Sequence, residues 1–175
     1  MREPVAKTLT AMLTEGQLID DKYRLLGEIA QGDLGPVYQV AEVPSGHICV
    51  LRLITRVASP DGSLVGRLRQ ESEQVEKLRH PNIMPFGEVG EVEGQVYAAR
   101  EFVEGVTLQD LIEREAPFSL PRACSIARQV ASALETAHNA GVLHGNLNPS
   151  NVLVNEQDGL AAVKVLGLGS FALRE

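Results

Sequence analysis

Gly141-Val-Leu-His144-Gly-Asn146-Leu-Asn148-Pro-Ser-Asn151-Val-Leu-Val154 is the stretch on which the reading of this chain turns. Three side-chain amides stand in it, between a long helical window and a β-type run. Upstream, Ser119–Ala140 carries Ile126, Val130, Ala133, Leu134 and Ala137 at helical spacing, and Gly141 stands where a helix is readily ended. Downstream, Val152–Asn155 and Ala162–Leu166 read as two short strands around a turn at Glu156–Gly159. Thr107–Arg114 reads as a short helix capped by Thr107.

Further outward the character changes from helix to strand. Tyr23–Ile29, Val37–Val43 and Ile48–Thr55 are β-type runs, the last two separated by Pro44-Ser45-Gly46. A helical window at Ser63–Arg79 is stopped by His80-Pro81-Asn82, and strands at Met84–Val92 and Gln95–Phe102 meet at Glu93-Gly94. Residues 1–16 form a weakly patterned lead-in, with Leu9, Met12 and Leu13 in loose helical spacing.

The 175 residues suffice for a sizeable core, and the net charge of −7 argues against a nucleic-acid or anionic-membrane surface. No apolar run approaches the roughly 20 residues that span a bilayer, and the start lacks a signal-peptide core. Cys49 and Cys124 stand far apart in apolar neighbourhoods, so buried free thiols in a reducing cytoplasm are expected. His47, His80, His138 and His144 lack metal-ligand spacing, and no metal is expected.

Arg79-His80-Pro81-Asn82-Ile83, Glu101-Phe102-Val103-Glu104-Gly105 and the Gly141–Val154 stretch, in this order, resemble bacterial Hanks-type Ser/Thr protein kinases. The resemblance runs from Leu18 to Leu173. It implies an α+β, protein kinase-like fold. Residues 17–102 would be a five-stranded antiparallel small lobe with one main helix, and residues 103–175 a partial, mainly helical large lobe, after an arm at 1–16. It further implies that a kinase's activation segment and later helices fall outside this sequence.

Within that resemblance the chemistry-bearing letters differ. Kinases read His-Arg-Asp-Leu-Lys-Pro-x-Asn in this loop, the Asp taking the substrate hydroxyl proton. Here Asn146 replaces the Asp and Asn148 the Lys, while Asn151 is retained. In Val165-Leu166-Gly167-Leu168-Gly169, Gly167 stands where kinases hold magnesium with an aspartate, and Leu168 is expected to pack in place of the motif's Phe. A neutral amide alone does not hold this hard cation as a carboxylate does, so Asn151 is expected to bridge the loop backbone. His144 is expected as a packed core residue.

The rest of the implied nucleotide cleft comprises Gly32, Gly35, Arg52, Glu71, Arg100, Glu101 and Val103. Gly32 and Gly35 belong to the match to the glycine-rich loop, which lacks its first glycine and gains Asp33; a phosphate cradle and a plain tight hairpin are both open. Arg52 replaces the phosphate-holding lysine. Glu71 lies on the stripe Leu64, Leu68, Val75, Leu78, which predicts an Arg52–Glu71 ion pair, with a solvated Glu71 and a snorkelling Arg52 as the alternative. Arg100 takes the gatekeeper position and faces either the pocket or, through a slipped register, solvent.

These losses predict a chain that is not an enzyme: a pseudokinase acting as a protein-interaction or scaffolding module. The alternatives are a metal-independent nucleotide sensor and, less favoured, a divergent transferase. No cofactor is expected, with ATP binding left open. A protein partner or a second copy is expected on the incompletely covered helix 119–140, with its Ile126, Val130 and Leu134, and on the N-terminal arm. No nucleic acid and no membrane insertion are expected, and the location is cytoplasmic.

Overall fold

The β-type runs of the N-terminal half build one antiparallel sheet: β1 (Leu18–Ile19), β2 (Tyr23–Gly32), β3 (Gly35–Glu42), β4 (Ile48–Ile54), β5 (Glu88–Val92) and β6 (Gln95–Glu101). The strand order is β1-β2-β3-β4-β6-β5. The computed structural model describes residues 13–32, 34–55, 63–85, 87–157 and 160–168. All five expected strands are present. The sixth, β1, has two residues and is too short to show alternation in the sequence. The chain divides into two compact units, one running to Arg69 and resuming over Gly87–Phe102, the other taking Gln70–Phe86 and the chain from Val103.

In the first unit, Ile19, Tyr23, Leu25, Tyr38, Val40, Leu51, Leu53, Tyr97 and Ala99 pack as one cluster. They occupy alternate positions of paired strands, so this cluster lies on one sheet face, while Val37, Val50, Ile54, Val96 and Ala98 are buried on the other. Leu13 packs against this cluster. Leu25 exchanges backbone hydrogen bonds with Gly16 and Gln17 at 2.8 Å each. The described end of the expected N-terminal arm is thus part of this unit's own fold, while residues 1–12 lie outside the described residues.

Helix α1 (Ser63–Glu76) ends three residues short of the expected window, and Arg79 has a φ of 37°. In the second unit, β7 (Val106–Thr107), β8 (Val152–Gln157) and β9 (Leu160–Val165) form a sheet in the order β7-β8-β9. Thr107 caps α2 (Leu108–Glu115), its Oγ1 accepting from the Asp110 amide at 3.1 Å. Helix α3 (Leu120–Asn139) presents Ala133 and Ala137 to Val75, Ile83, Val142, Val165 and Leu168. Near its start it presents Ile126 to Leu111, Val152, Val154 and Val163. Ile126 is therefore buried, whereas Val130 and Leu134 are half-buried and Ala127 and Ala131 exposed.

Cys124 is exposed and Cys49 half-buried, which corrects the expectation of two buried thiols: Cys124 falls on the solvent side of α3. Among the described residues no helix is long and apolar enough to cross a membrane.

Candidate functional site

The amide-rich loop follows α3 and is held by its own side chains. His144 is 3% exposed. Its Nδ1 accepts from the Asn146 amide at 3.3 Å, and its Nε2 has no hydrogen-bond partner among the described residues. Burial pushes the imidazole below its ordinary pKa, which keeps it neutral. Asn148 caps the 3₁₀ turn Pro149–Asn151, its Oδ1 accepting from the Ser150 amide at 2.9 Å. Its Nδ2 donates to the Asn146 carbonyl at 3.1 Å, and Asn151 donates Nδ2 to that same oxygen at 3.0 Å.

Two amide donors on one carbonyl give the loop a specific chemistry. An aspartate at 148 or 151 has no N–H to donate and would set a carboxylate against that oxygen. The Asn151 carbonyl in turn accepts from the Leu166 amide at 2.8 Å, which ties the end of β9 to the loop. Leu168 is fully buried in the cluster around Ala133 and Ala137. Asn146, Asn148, Asn151 and Gly167 thus lie in one unit. At positions 151 and 167 the side chains offer one neutral amide oxygen and no carboxylate, which does not fit magnesium held as kinases hold it.

In the first unit, pairing of β4 with β6 sets Val50 opposite Arg100 and Arg52 opposite Ala98. Arg52 and Arg100 are therefore diagonal neighbours on one sheet face. A Cβ built on Gly32 would lie 3.6 Å from the Arg52 Cζ, so that guanidinium sits beneath the β2–β3 turn. Arg100 Nη1 donates to the Glu101 carbonyl at 3.2 Å. Burial, and then the charge of Arg52, lower the Arg100 pKa to about 10. Gly35 joins this unit too, and Asp33 lies outside the described residues. Glu71 and Val103 belong to the second unit, and Arg52 and Glu71 each have a polar or electrostatic partner.

Two features were not found from sequence. One is a latch on β9. Asn82 donates Nδ2 to the Val163 carbonyl at 2.8 Å and to Gln129 Oε1 at 3.0 Å, and Gln129 also bonds the Val163 amide at 3.1 Å and the Ala161 carbonyl at 2.7 Å. The His80-Pro81-Asn82 tripeptide was its only visible sign. The other is an apolar groove of about 600 Å³ beside α3, lined by Leu108, Ile112, Phe118, Val130 and Leu134 among others, with Asn148 its one non-apolar side chain.

Comparison with known proteins follows the same outline. The protein kinase domain family matches residues 23–173. The serine/threonine-protein kinase PknE of Mycobacterium tuberculosis is 34% identical over 136 residues, covering 78% of this chain and 24% of that protein. The probable serine/threonine-protein kinase PknB of Lactococcus lactis is 33% identical over 159 residues, covering 90% of this chain and 25% of that protein. The crystal structure of a double mutant of the Mycobacterium tuberculosis PknI kinase domain superposes with a TM-score of 0.73 at 28% identity, covering 90% of this chain and 64% of that one. The chain thus spans about a quarter of the length of these curated relatives. The expectation that the chain is not an enzyme is corrected here. Its relatives are named serine/threonine-protein kinases, so the amides at 146 and 148 and the glycine at 167 are departures inside a kinase family.

Proposed function

The chain belongs to the protein kinase family, and on that premise we propose that it is a regulatory module of a bacterial cytoplasmic signalling protein that works by binding a protein partner. The observation that carries this is the groove beside α3. Its lining is apolar except for Asn148, and Ile112 and Leu147 stand 37% and 44% exposed on it. Apolar surface gathered in one concave strip favours a partner that buries it. The strip follows α3 from Ala123 to Leu134, about three helical turns. That shape suits an amphipathic helix laid in a groove, anchored by apolar residues at helical spacing.

A photo-crosslinking residue in place of Ala131 tests this in the whole protein. The expected adduct maps to an apolar helical segment of another polypeptide and disappears with Ala127→Glu. Adducts only with a second copy of this chain, or none at all, would overturn it. Phosphoryl transfer is the activity that the relatives' names carry. Any such transfer in this chain runs with amides at positions 146 and 148.

A second reading, a nucleotide sensor independent of metal, is supported by one observation. Arg52 and Arg100 share one sheet face in the first unit, and the Arg52 guanidinium lies under the turn that kinases use for phosphate.

A further inference from the structure

We propose that His144 is an acid-sensitive catch on the amide-rich loop: its neutral imidazole holds residues 144–151 closed against the end of β9, and protonation opens them. Leu147, Asn148 and Pro149 line the groove beside α3, so opening removes one wall of that groove. The consequence for a partner rests on the helix-in-groove reading; the catch itself does not.

Gly145 has a φ of 69°, a left-handed turn that brings the Asn146 amide back onto the His144 ring, where Nδ1 accepts it at 3.3 Å. An accepting Nδ1 carries no hydrogen, so the ring proton sits on Nε2. That N–H is buried with no hydrogen-bond partner among the described residues. A buried donor left unmade is costly and calls for a reason. The loop supplies one. Asn146, whose amide the ring holds, also offers the carbonyl that gathers the Asn148 and Asn151 side chains, and the Asn151 carbonyl takes the Leu166 amide at 2.8 Å. A second ring proton would set a donor against the Asn146 donor and place a charge in a site 3% exposed. His80 makes the same turn, its Nδ1 accepting the Asn82 amide at 3.1 Å, but its Nε2 meets Ser132 Oγ at 3.1 Å. Of the two, His144 alone has the orphaned N–H.

Opposite charge does not offset that second proton. Among the described residues no carboxylate forms an ion pair with the imidazole. On the elements beside the loop the titratable groups are Glu135 and His138, exposed on the last turns of α3, and Lys164, half-buried two residues before Leu166 on β9. Burial pushes the ring below its ordinary value and outweighs its own backbone and the Leu166 carbonyl, which favour the charged form. In an open loop the ring regains the ordinary value of about 6.5. The open form therefore takes the proton first. Closure is complete well above about pH 6.5 and is lost as pH falls, the open fraction growing about tenfold per unit until the closed ring is itself protonated.

The test follows hydrogen exchange at the Leu166 amide of the whole protein between about pH 5 and 8, as protection relative to a free amide, together with nitrogen NMR of the imidazole. The variant is His144→Asn, because an asparagine oxygen accepts from the amide two residues on and does not titrate. In the wild type, Leu166 protection should fall about tenfold per pH unit below about 6.5, and the neutral ring should carry its hydrogen on Nε2. His144→Asn should be protected evenly across the range. Wild-type protection indifferent to pH, a neutral ring with its hydrogen on Nδ1, or the same acid loss in His144→Asn would each overturn the catch. If His144→Asn does not fold, the wild-type exchange and ring spectra decide the matter. The crosslink from position 131, repeated at about pH 7.5 and about pH 5.5, separates the catch from the groove reading. Adducts that fade in acid in the wild type and persist in His144→Asn uphold both. No adduct at either pH, with the acid loss of Leu166 protection intact, removes the groove reading and leaves the catch. Adducts undiminished in acid while Leu166 protection is lost would overturn the link between catch and groove.

Discussion

Tyr97 donates its phenolic hydrogen to Asp20 at 2.5 Å across 77 residues of chain, and this bond pins the residues after β1 to the middle of β6. The Tyr97 side chain is fully buried, and its ring meets that of Tyr23 edge-on at 5.9 Å. Tyr23 donates to Glu88 at 3.2 Å, and Lys22 pairs with the same carboxylate. Tyr97→Phe keeps the ring and removes a bond to a charged acceptor, so it should cost about 1–3 kcal/mol in urea unfolding. A change below the error of the measurement would show that Asp20 is equally content with water.

The same cluster sets an alkaline limit. Burial first, and then the negative charge of Glu88, push Tyr23 up to about 12 from 10.0. Tyr97 is raised by burial and by its bond to Asp20. A phenol that holds its proton longer when folded contributes stability that is complete below pH 10 and is lost as pH climbs through the folded value. Stability should therefore fall between about pH 10 and 12, and Tyr23→Phe should flatten part of that fall. Chemical unfolding at a series of alkaline pH values reads it directly.

The Gln129 side chain serves the backbone of β9. Val163 N–H and Ala161 C=O both bond to it rather than to another strand. Gln129→Ala should leave these groups short of partners at a cost of about 1–3 kcal/mol. Asn82→Ala should cost a similar amount, and the two together less than their sum, since each bonds the other. A double-mutant cycle that closes to zero would place the two side chains in separate roles.

What the sequence made legible divides along physical lines. Strands β2 to β6 were visible as β-type runs bounded by turn residues, and α3 because its apolar stripe from Ile126 to Ala137 runs for about three turns. Strands β1 and β7, of two residues each, carry no period, and only their partners Arg24–Tyr23 and Val154–Leu153 define them. The loop amides were visible as letters. Their bonding was not, because whether Asn148 donates to a neighbour or faces solvent depends on the turn that Pro149 begins. Cys124 was misplaced for a related reason: apolar neighbours in sequence do not face the same way round a helix.

Asn151 and Asn148 make a prediction that separates structure from chemistry. Both donate to the Asn146 carbonyl, so Asn151→Asp removes a donor and sets a negative charge against that oxygen. It should destabilise the protein by about 1–3 kcal/mol and increase hydrogen exchange at the Leu166 amide, whose bond to the residue 151 carbonyl closes the loop. Asn146→Asp leaves that carbonyl in place and should be much milder. Equal effects from the two changes would mean that the loop is held elsewhere.

Gly32 and Gly35 look alike in the sequence, and the structure gives them unequal duties. Gly35 has a φ of 146°, and an added Cβ would overlap the carbonyl oxygen of Leu53 on β4. That obstacle is backbone in the middle of a sheet, so it has nowhere to move. Gly32 pairs with Gly35 in the register of the turn, and its added Cβ would meet the Gly35 carbonyl oxygen at 3.1 Å, tight but open to adjustment. Gly35→Ala should therefore cost about 3 kcal/mol or more, combining strain at a left-handed position with a backbone clash. Gly32→Ala should cost about 1 kcal/mol or less and mainly affect whatever lies against Arg52. If the glycines served only to bring backbone N–H groups to a phosphate, both changes would spare stability and weaken anion binding alike. Thermal midpoints of the two variants, with and without pyrophosphate, distinguish a hairpin that must close on β4 from a loop kept only for a ligand.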